Sequence, residues 1–241
     1  MTRVSRWTDK IDAMDRLPQT PDTYDAMFTA GGYAGAYSLP YRHTWYYPLY
    51  KGVLAAVNRQ NSKQILEVGC GTGGFAHLLF DTSAIAYHGF DFSSEAVRQA
   101  RARTGRTDAF EVADATRAES YQHVFDTIVC TEVLEHIEPD REAMSLWPSG
   151  TFCICSVPNF DSSVHVRFFT KENEILDRYG DLLDISSIVR LKKPALPDIS
   201  WRNRLRHLRW NLARPSRLLP MLGFSSFESS GGWFVFVGKR R

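Results

Sequence analysis

The stretch ILEVGCGTGGFAHLL (65–79) joins a run of apolar, largely branched residues to four glycines at 69, 71, 73 and 74 and then to a helix-forming segment. Glycine tolerates left-handed backbone angles and leaves bare N–H groups at a helix start. A chain with this turn therefore builds a strand–turn–helix unit whose backbone approaches a ligand closely. A nucleotide-like ligand is the natural occupant. The spacing satisfies both GxGxG and GxGxxG, and Asp91 follows Gly69 at the distance of a ribose-binding acid, so the turn alone also admits a dinucleotide.

Short runs rich in Val, Ile, Phe and Cys recur along the chain: QILEVG (64–69), AIAYHGFDF (84–92), DAFEVAD (108–114), FDTIVCT (125–131) and TFCICSVPN (151–159). Between them, FAHLLF, SSEAVRQARAR (a Ser N-cap with Glu95 in the first turn) and EVLEHIEPDREAM read as helices. This alternation predicts an α/β Rossmann-like, doubly wound sheet with its crevice at the carboxyl ends of the strands. Further on, TKENEIL reads as a helix capped by Thr170, ISSIVRLKK as a strand and GGWFVFVGKR as a final strand. With 44% hydrophobic residues the 241-residue chain can bury one sizeable core. Neither an export signal nor an apolar run of membrane-spanning length is apparent, and no CxxC occurs, so a cytoplasmic location with reduced, structural cysteines is expected. Cys153 and Cys155 would share one strand face in the core.

Charged residues narrow the ligand. Glu67, two positions before the first glycine, would repel a pyrophosphate but hold a cationic amino-acid moiety, which favours S-adenosylmethionine. Asp91 can accept from both ribose hydroxyls, and Asp114 from an adenine amino group.

Taken in order, ILEVGCGTGGF, GFDFS, VADA and FDTIVCTEVLEHI resemble the consecutive motifs of class I S-adenosylmethionine-dependent methyltransferases over roughly residues 60 to 160. That resemblance implies a seven-stranded sheet, six strands parallel and the last antiparallel. It implies that Gly69, Cys70 and Gly71 line the methionine part, Asp91 holds the ribose, Asp114 and Ala115 meet the adenine, and Phe92 packs on the adenine face. Glu67 and Thr131 complete the expected cofactor set, with S-adenosylhomocysteine as product.

Methyl transfer from a sulfonium is an in-line displacement, so the enzyme mainly aligns the acceptor and excludes water; a hydroxyl acceptor also needs a base. Glu132, Glu135 and His136 have i, i+3, i+4 spacing and are expected on one helix face beyond the fourth strand. The expected catalytic residues are His136, Glu132 and His165. The EVLEHI pattern resembles that of ubiquinone-biosynthesis O-methyltransferases and small-RNA terminal 2'-O-methyltransferases, where two Glu and a His bind a divalent metal. His165 is the candidate for the further His of the RNA enzymes. Metal use is an alternative here, with no residue assigned as a ligand in the preferred reading. His165 and Arg167 either touch substrate or lie in an exposed loop.

Tyr33, Tyr37, Tyr41, Tyr46, Tyr47 and Tyr50, with His43 and Trp45, form an aromatic cluster. Residues 1–45 are expected to be an irregular arm or lid, with 31–45 over the site and 46–57 in the core of a methyltransferase domain spanning 46–241. A basic insertion occupies about 192–230. From Lys192 to Arg217 eight Lys or Arg face the single acid Asp198, in a chain of net charge +2. There Trp201, Leu205, Leu208 and Leu212 recur at helical spacing, with Arg202, Arg206 and Arg209 elsewhere on the wheel. The expectation is O-methylation of a small molecule or saccharide, with peripheral membrane contact through 192–217 as an option and no chain-wide field that calls for nucleic acid. The competing readings are a metal-dependent RNA 2'-O-methyltransferase, a non-catalytic scaffold that attaches through the basic helix, and a dehydrogenase.

Overall fold

The computed structural model of the protein describes residues 20–194 and 226–241, the side chains of Tyr33 and Ala34 excepted. Its strands are β1 (Gln64–Val68), β2 (Ala86–Asp91), β3 (Phe110–Val112), β4 (Thr127–Thr131), β5 (Phe152–Pro158), β6 (Leu183–Lys192) and β7 (Gly232–Arg240). They form one sheet in the order β3-β2-β1-β4-β5-β7-β6. Pairing is parallel from β3 through β5, whereas β7 lies antiparallel between β5 and β6. Six strands thus run one way and β7 the other, as the resemblance implied. An antiparallel strand in that place departs from the parallel order of dinucleotide-binding sheets.

Helices cover both faces of the sheet, so its central strands are apolar throughout rather than alternating. Every residue of β4 is buried. Leu66, Ile128, Cys130, Cys153, Cys155 and Phe236 pack into one core, and Ile65, Val129, Ile154, Trp233 and Val237 into the other. The second core is closed by helix α2 (Tyr47–Gln60), whose buried stripe is Leu49, Val53, Ala56 and Val57. Tyr47, in the segment expected in the core, is instead half-buried beside Lys51, whose ammonium sits 4.7 Å from the ring centroid. All four cysteines are buried free thiols.

Three expectations are corrected. The arm is not irregular throughout: helix α1 spans Pro21–Thr29, with Thr20 as its N-cap and Pro21 in its first turn. Tyr24 and Phe28 of α1 pack with Ala96 of helix α4 (Ser94–Thr104), which follows helix α3 (Gly74–Thr82). The Asp25 carboxylate accepts from the Ser93 hydroxyl, from Ser94 Oγ at 3.0 Å and from Glu95 N at 3.2 Å, so it fastens α1 onto the start of α4.

Second, EVLEH is not helical. Glu132 has φ of +58°, and helix α5 is confined to Asp140–Ser145, after Pro139. Proline lacks the N–H that Glu135 O would take in a helix and disfavours helix at the residue before it, so the carbonyls of 134, 135, 137 and 138 find other donors. Arg167 supplies the donors. Its guanidinium reaches Leu134 O, Ile137 O and Glu138 O, and Val166 N donates to Glu135 O at 2.8 Å. Arg167 is therefore a part of the loop's scaffold and lies in no exposed loop.

Third, helix α6 (Glu172–Tyr179) has Lys171 at its N-cap position. Thr170 is held by Glu174, which also takes Thr170 N and Lys171 N. Residues 1–19 of the arm, and residues 195–225 with the whole Trp201–Leu212 pattern, lie outside the described residues. Among the described residues no helix is long and apolar enough to cross a membrane.

Candidate active site

The glycine turn leaves β1 with Gly69 at φ +69° and Gly71 at +51°. A Cβ on Gly69 would lie 2.3 Å from Val133 Cγ2, so the close approach of two chain segments demands glycine there. At Gly71 a Cβ would meet nothing within 4 Å. That residue lines an open cavity of about 730 Å³ at the carboxyl ends of the central strands. Asp91 Oδ2 accepts from Gly71 N at 2.9 Å, and Cys70 N donates to Phe90 O at 2.9 Å, so the turn is fixed by its neighbour β2.

Glu67, Gly69, Cys70, Gly71, Asp91, Phe92, Asp114, Ala115 and Thr131 all line this cavity, and so do Glu132, His136 and His165. Both expected residue sets thus meet in one space. Among the expected cofactor residues, Glu67 is buried and accepts from the Tyr87 hydroxyl; burial nevertheless pushes its carboxyl up to about 8. Burial also raises Asp91, to about 6, although Ser93 N and Gly71 N both donate to it at 2.9 Å. Asp114 is exposed, and its Oδ1 accepts from Thr116 N and Thr116 Oγ1, each at 2.8 Å. The Phe92 ring stands 5.0 Å from Tyr24 in an edge arrangement.

In the same cavity, the left-handed backbone of Glu132 is an unusual state for a residue with a Cβ, and such states gather at functional sites. Glu132 N donates to Ser156 Oγ at 3.1 Å, and that hydroxyl donates back to Oε1 at 3.3 Å. Burial raises the Glu132 carboxyl well above the ordinary range. Glu135 is raised by burial and then by Glu132 beside it. Among the described residues no donor meets either oxygen of Glu135.

His136 is pushed down to about 3, by burial first and then by His165, so its imidazole is neutral. Its Nδ1 lies 2.7 Å from Val164 O, an atom that can only accept, which assigns the proton to Nδ1. His165 Nδ1 lies 3.2 Å from Phe160 O by the same logic. Nε2 of each ring is then an acceptor. Ligand atoms of Glu135, His136 and His165 all lie within 4.8 Å of one another. Two imidazole nitrogens and a carboxyl this close together fit a divalent cation, with carbonyl-fixed tautomers as outer support.

Tyr24, whose hydroxyl lies 2.9 Å from His136 Nδ1, was missed in the sequence, although Thr20-Pro21-Asp22 is a legible helix start. Lys193 was read only as part of a basic run. Its ammonium sits half-buried in the cavity wall, 5.0 Å from the Phe160 ring and 5.6 Å from Trp45. No sequence signal marks it.

A model of the methyltransferase-domain family matches residues 41–219. A ubiquinone biosynthesis O-methyltransferase of Neisseria meningitidis serogroup C is 30% identical over 87 residues, 34% of this chain and 36% of that protein. The chain thus matches about a third of the length of that curated relative. Among solved structures, a chain of the complex between the Haloferax volcanii Trm112 methyltransferase activator and a methyltransferase is 18% identical, with 90% of this chain and 97% of that one covered and a TM-score of 0.64. The N-methyltransferase NodS from Bradyrhizobium japonicum WM9, solved with S-adenosyl-L-homocysteine, is 16% identical, with 81% and 87% covered and a TM-score of 0.55. The structural likenesses speak for the fold and the family model for membership: the chain belongs to the methyltransferase-domain family, with the fold of the class I S-adenosylmethionine-dependent methyltransferases.

Proposed function

We propose that the protein transfers a methyl group from S-adenosylmethionine to an oxygen of a small molecule or saccharide, leaving S-adenosylhomocysteine. One observation carries this reading. The glycine turn, Glu67 and Asp91 line a single cavity together with Glu132, His136 and His165. When bound, the cofactor supplies an electrophilic methyl on a positively charged sulfur. Glu67 faces the cationic amino-acid part. The Asp91 carboxylate has lone pairs left for the ribose hydroxyls after meeting Gly71 N and Ser93 N. Phe92, Asp114 and Ala115 form the adenine side.

Glu132 takes the proton from the acceptor hydroxyl. A buried carboxylate with a raised pKa is a stronger base than an exposed one, which suits work near neutral pH. Lys193, over Phe160 and Trp45, orients an acceptor that carries an anionic or electron-rich group. The arm to residue 45 acts as a lid on a methyltransferase domain at 46–241, with the basic insertion at about 192–230 as its variable part. The lid wall includes Tyr24, Phe28, Tyr37 and Trp45.

A second reading is favoured by the clustering of Glu135, His136 and His165, whose ligand atoms lie within 4.8 Å of one another: they would hold a divalent cation. Such an ion would act as a Lewis acid on the acceptor oxygen. Calorimetric titration with S-adenosylhomocysteine tests both readings, run after EDTA treatment and again with Mg²⁺, then repeated on Asp91→Ala. Micromolar binding that Asp91→Ala weakens is expected, and no binding would overturn the methyltransferase reading. Methylation that survives EDTA would discard the metal.

A further inference from the structure

We infer that His88, Glu111 and His123 form a second metal site, for a borderline transition cation of the Zn²⁺ type, apart from the cavity. The three residues come from β2, from β3 and from the segment leading to β4, and none lines the cavity. Their ligand atoms lie within 4.8 Å of one another. His123 Nε2 is 2.8 Å from Glu111 Oε1, and His88 Nε2 is 3.3 Å from the same oxygen. The two imidazoles stack with centroids 3.8 Å apart and planes 24° apart.

One oxygen is asked to serve two nitrogens, and it satisfies only one. His123 has the short contact, whereas His88 Nε2 is shielded from water and has no aligned hydrogen bond among the described residues. A metal ion binds the ring-nitrogen lone pair of a neutral imidazole. A cation among the three groups would take up both nitrogens and the carboxylate together.

Two imidazoles and one carboxylate suit Zn²⁺, Co²⁺ or Ni²⁺ rather than Mg²⁺ or Ca²⁺, which prefer all-oxygen shells. Half-exposed Glu111 and His123 leave a way in and room for a water as fourth ligand. The site would also brace the cavity wall. Glu111 and His123 bracket the stretch that carries Asp114 and Ala115, where Ser120 Oγ donates to Asp114 O at 2.6 Å and the Tyr121 hydroxyl to Ala115 O at 2.8 Å.

The test is Zn²⁺ titration of the EDTA-treated full chain by calorimetry, with thermal melting alongside. The cluster at His165 offers a competing site, so the titration is run on His165→Ala as well as on the parent protein. His165→Ala is expected to bind one Zn²⁺ and to melt higher with it. Adding His123→Ala or Glu111→Gln should weaken that binding by more than about tenfold, since loss of a ligand exceeds loss of an outer partner. In the unaltered background, His123→Ala should remove one equivalent of bound Zn²⁺. Equal Zn²⁺ affinity with and without His123, or no Zn²⁺ bound by the His165→Ala protein and no equivalent lost on His123→Ala in the parent, would overturn the assignment.

Discussion

Glu67 makes cofactor binding a proton-linked event that can be counted. In the empty protein burial holds its carboxyl at about 8, with Tyr87 donating to it and Asp91 nearby. At pH 7 about nine-tenths of the molecules therefore carry a proton on Glu67. An ammonium group arriving beside it favours the ionised form, so S-adenosylhomocysteine should expel that proton. The expected release is about 0.9 proton per ligand at pH 7 and about 0.1 at pH 9, with apparent affinity rising about 50-fold between pH 6 and 8. Calorimetry in buffers of different ionisation enthalpy reads the release as a slope, and Glu67→Gln should flatten it. The same shift governs stability. A folded-state pKa of about 8 lies above the usual Glu value of about 4.5, so the contribution is full below that value and is lost as pH rises toward 8. The loss is on the order of 5 kcal/mol, and Glu67→Gln should melt with a correspondingly flatter pH dependence. Heat of binding that is independent of buffer at pH 7, or a slope that persists in Glu67→Gln, would refute the placement of a cation at this carboxylate.

Other outcomes follow from the same geometry. Glu132→Gln is expected to lower turnover about 10²- to 10⁴-fold, to leave S-adenosylhomocysteine affinity intact and to abolish the rise of rate with pH that an ionising base imposes. Once an acceptor is in hand, Lys193→Met should raise its KM while cofactor titration stays unchanged; steady-state kinetics and calorimetry separate the two. Asp25→Ala removes the carboxylate that caps α4 and should cost about 0.5–2 kcal/mol in chemical denaturation. Because that group is held below its usual pKa, chiefly by the Ser93 hydroxyl, its contribution should fade as pH drops through the acid range.

The sheet was legible because β4 and β5 are short, branched and apolar on both faces, a pattern that only a doubly covered strand sustains. The glycine turn was legible for a similar reason, since Gly69 has no room for a Cβ. The EVLEH segment misled because its i, i+3, i+4 spacing is equally compatible with a tight loop. What decides between them is the Pro139 that ends the run and the Arg167 guanidinium that arrives from 29 or more positions later to take its carbonyls. No local pattern announces such a contact. Helix α1 carried its start signal in Thr20 and Pro21, yet the surrounding glycines and tyrosines outweighed it. The acid and imidazole part of the cavity was assembled from three separate stretches, around Tyr24, 132–136 and 160–165, and Lys193 entered from a fourth. Sequence spacing has no access to meetings of that range.

The position of β7 has a consequence for how the chain comes together during synthesis. Glu67, Asp91, Glu132 and His165 have all been made well before residue 232, yet the strand that fills the gap between β5 and β6 is translated after them. Until it emerges, the facing edges of β5 and β6 wait unpaired, and the core lacks Trp233, Phe234 and Phe236, all fully buried in the finished fold. A chain cut short before residue 232 would carry nearly every residue of the cavity and still lack the middle of its sheet, a state prone to aggregate rather than to bind.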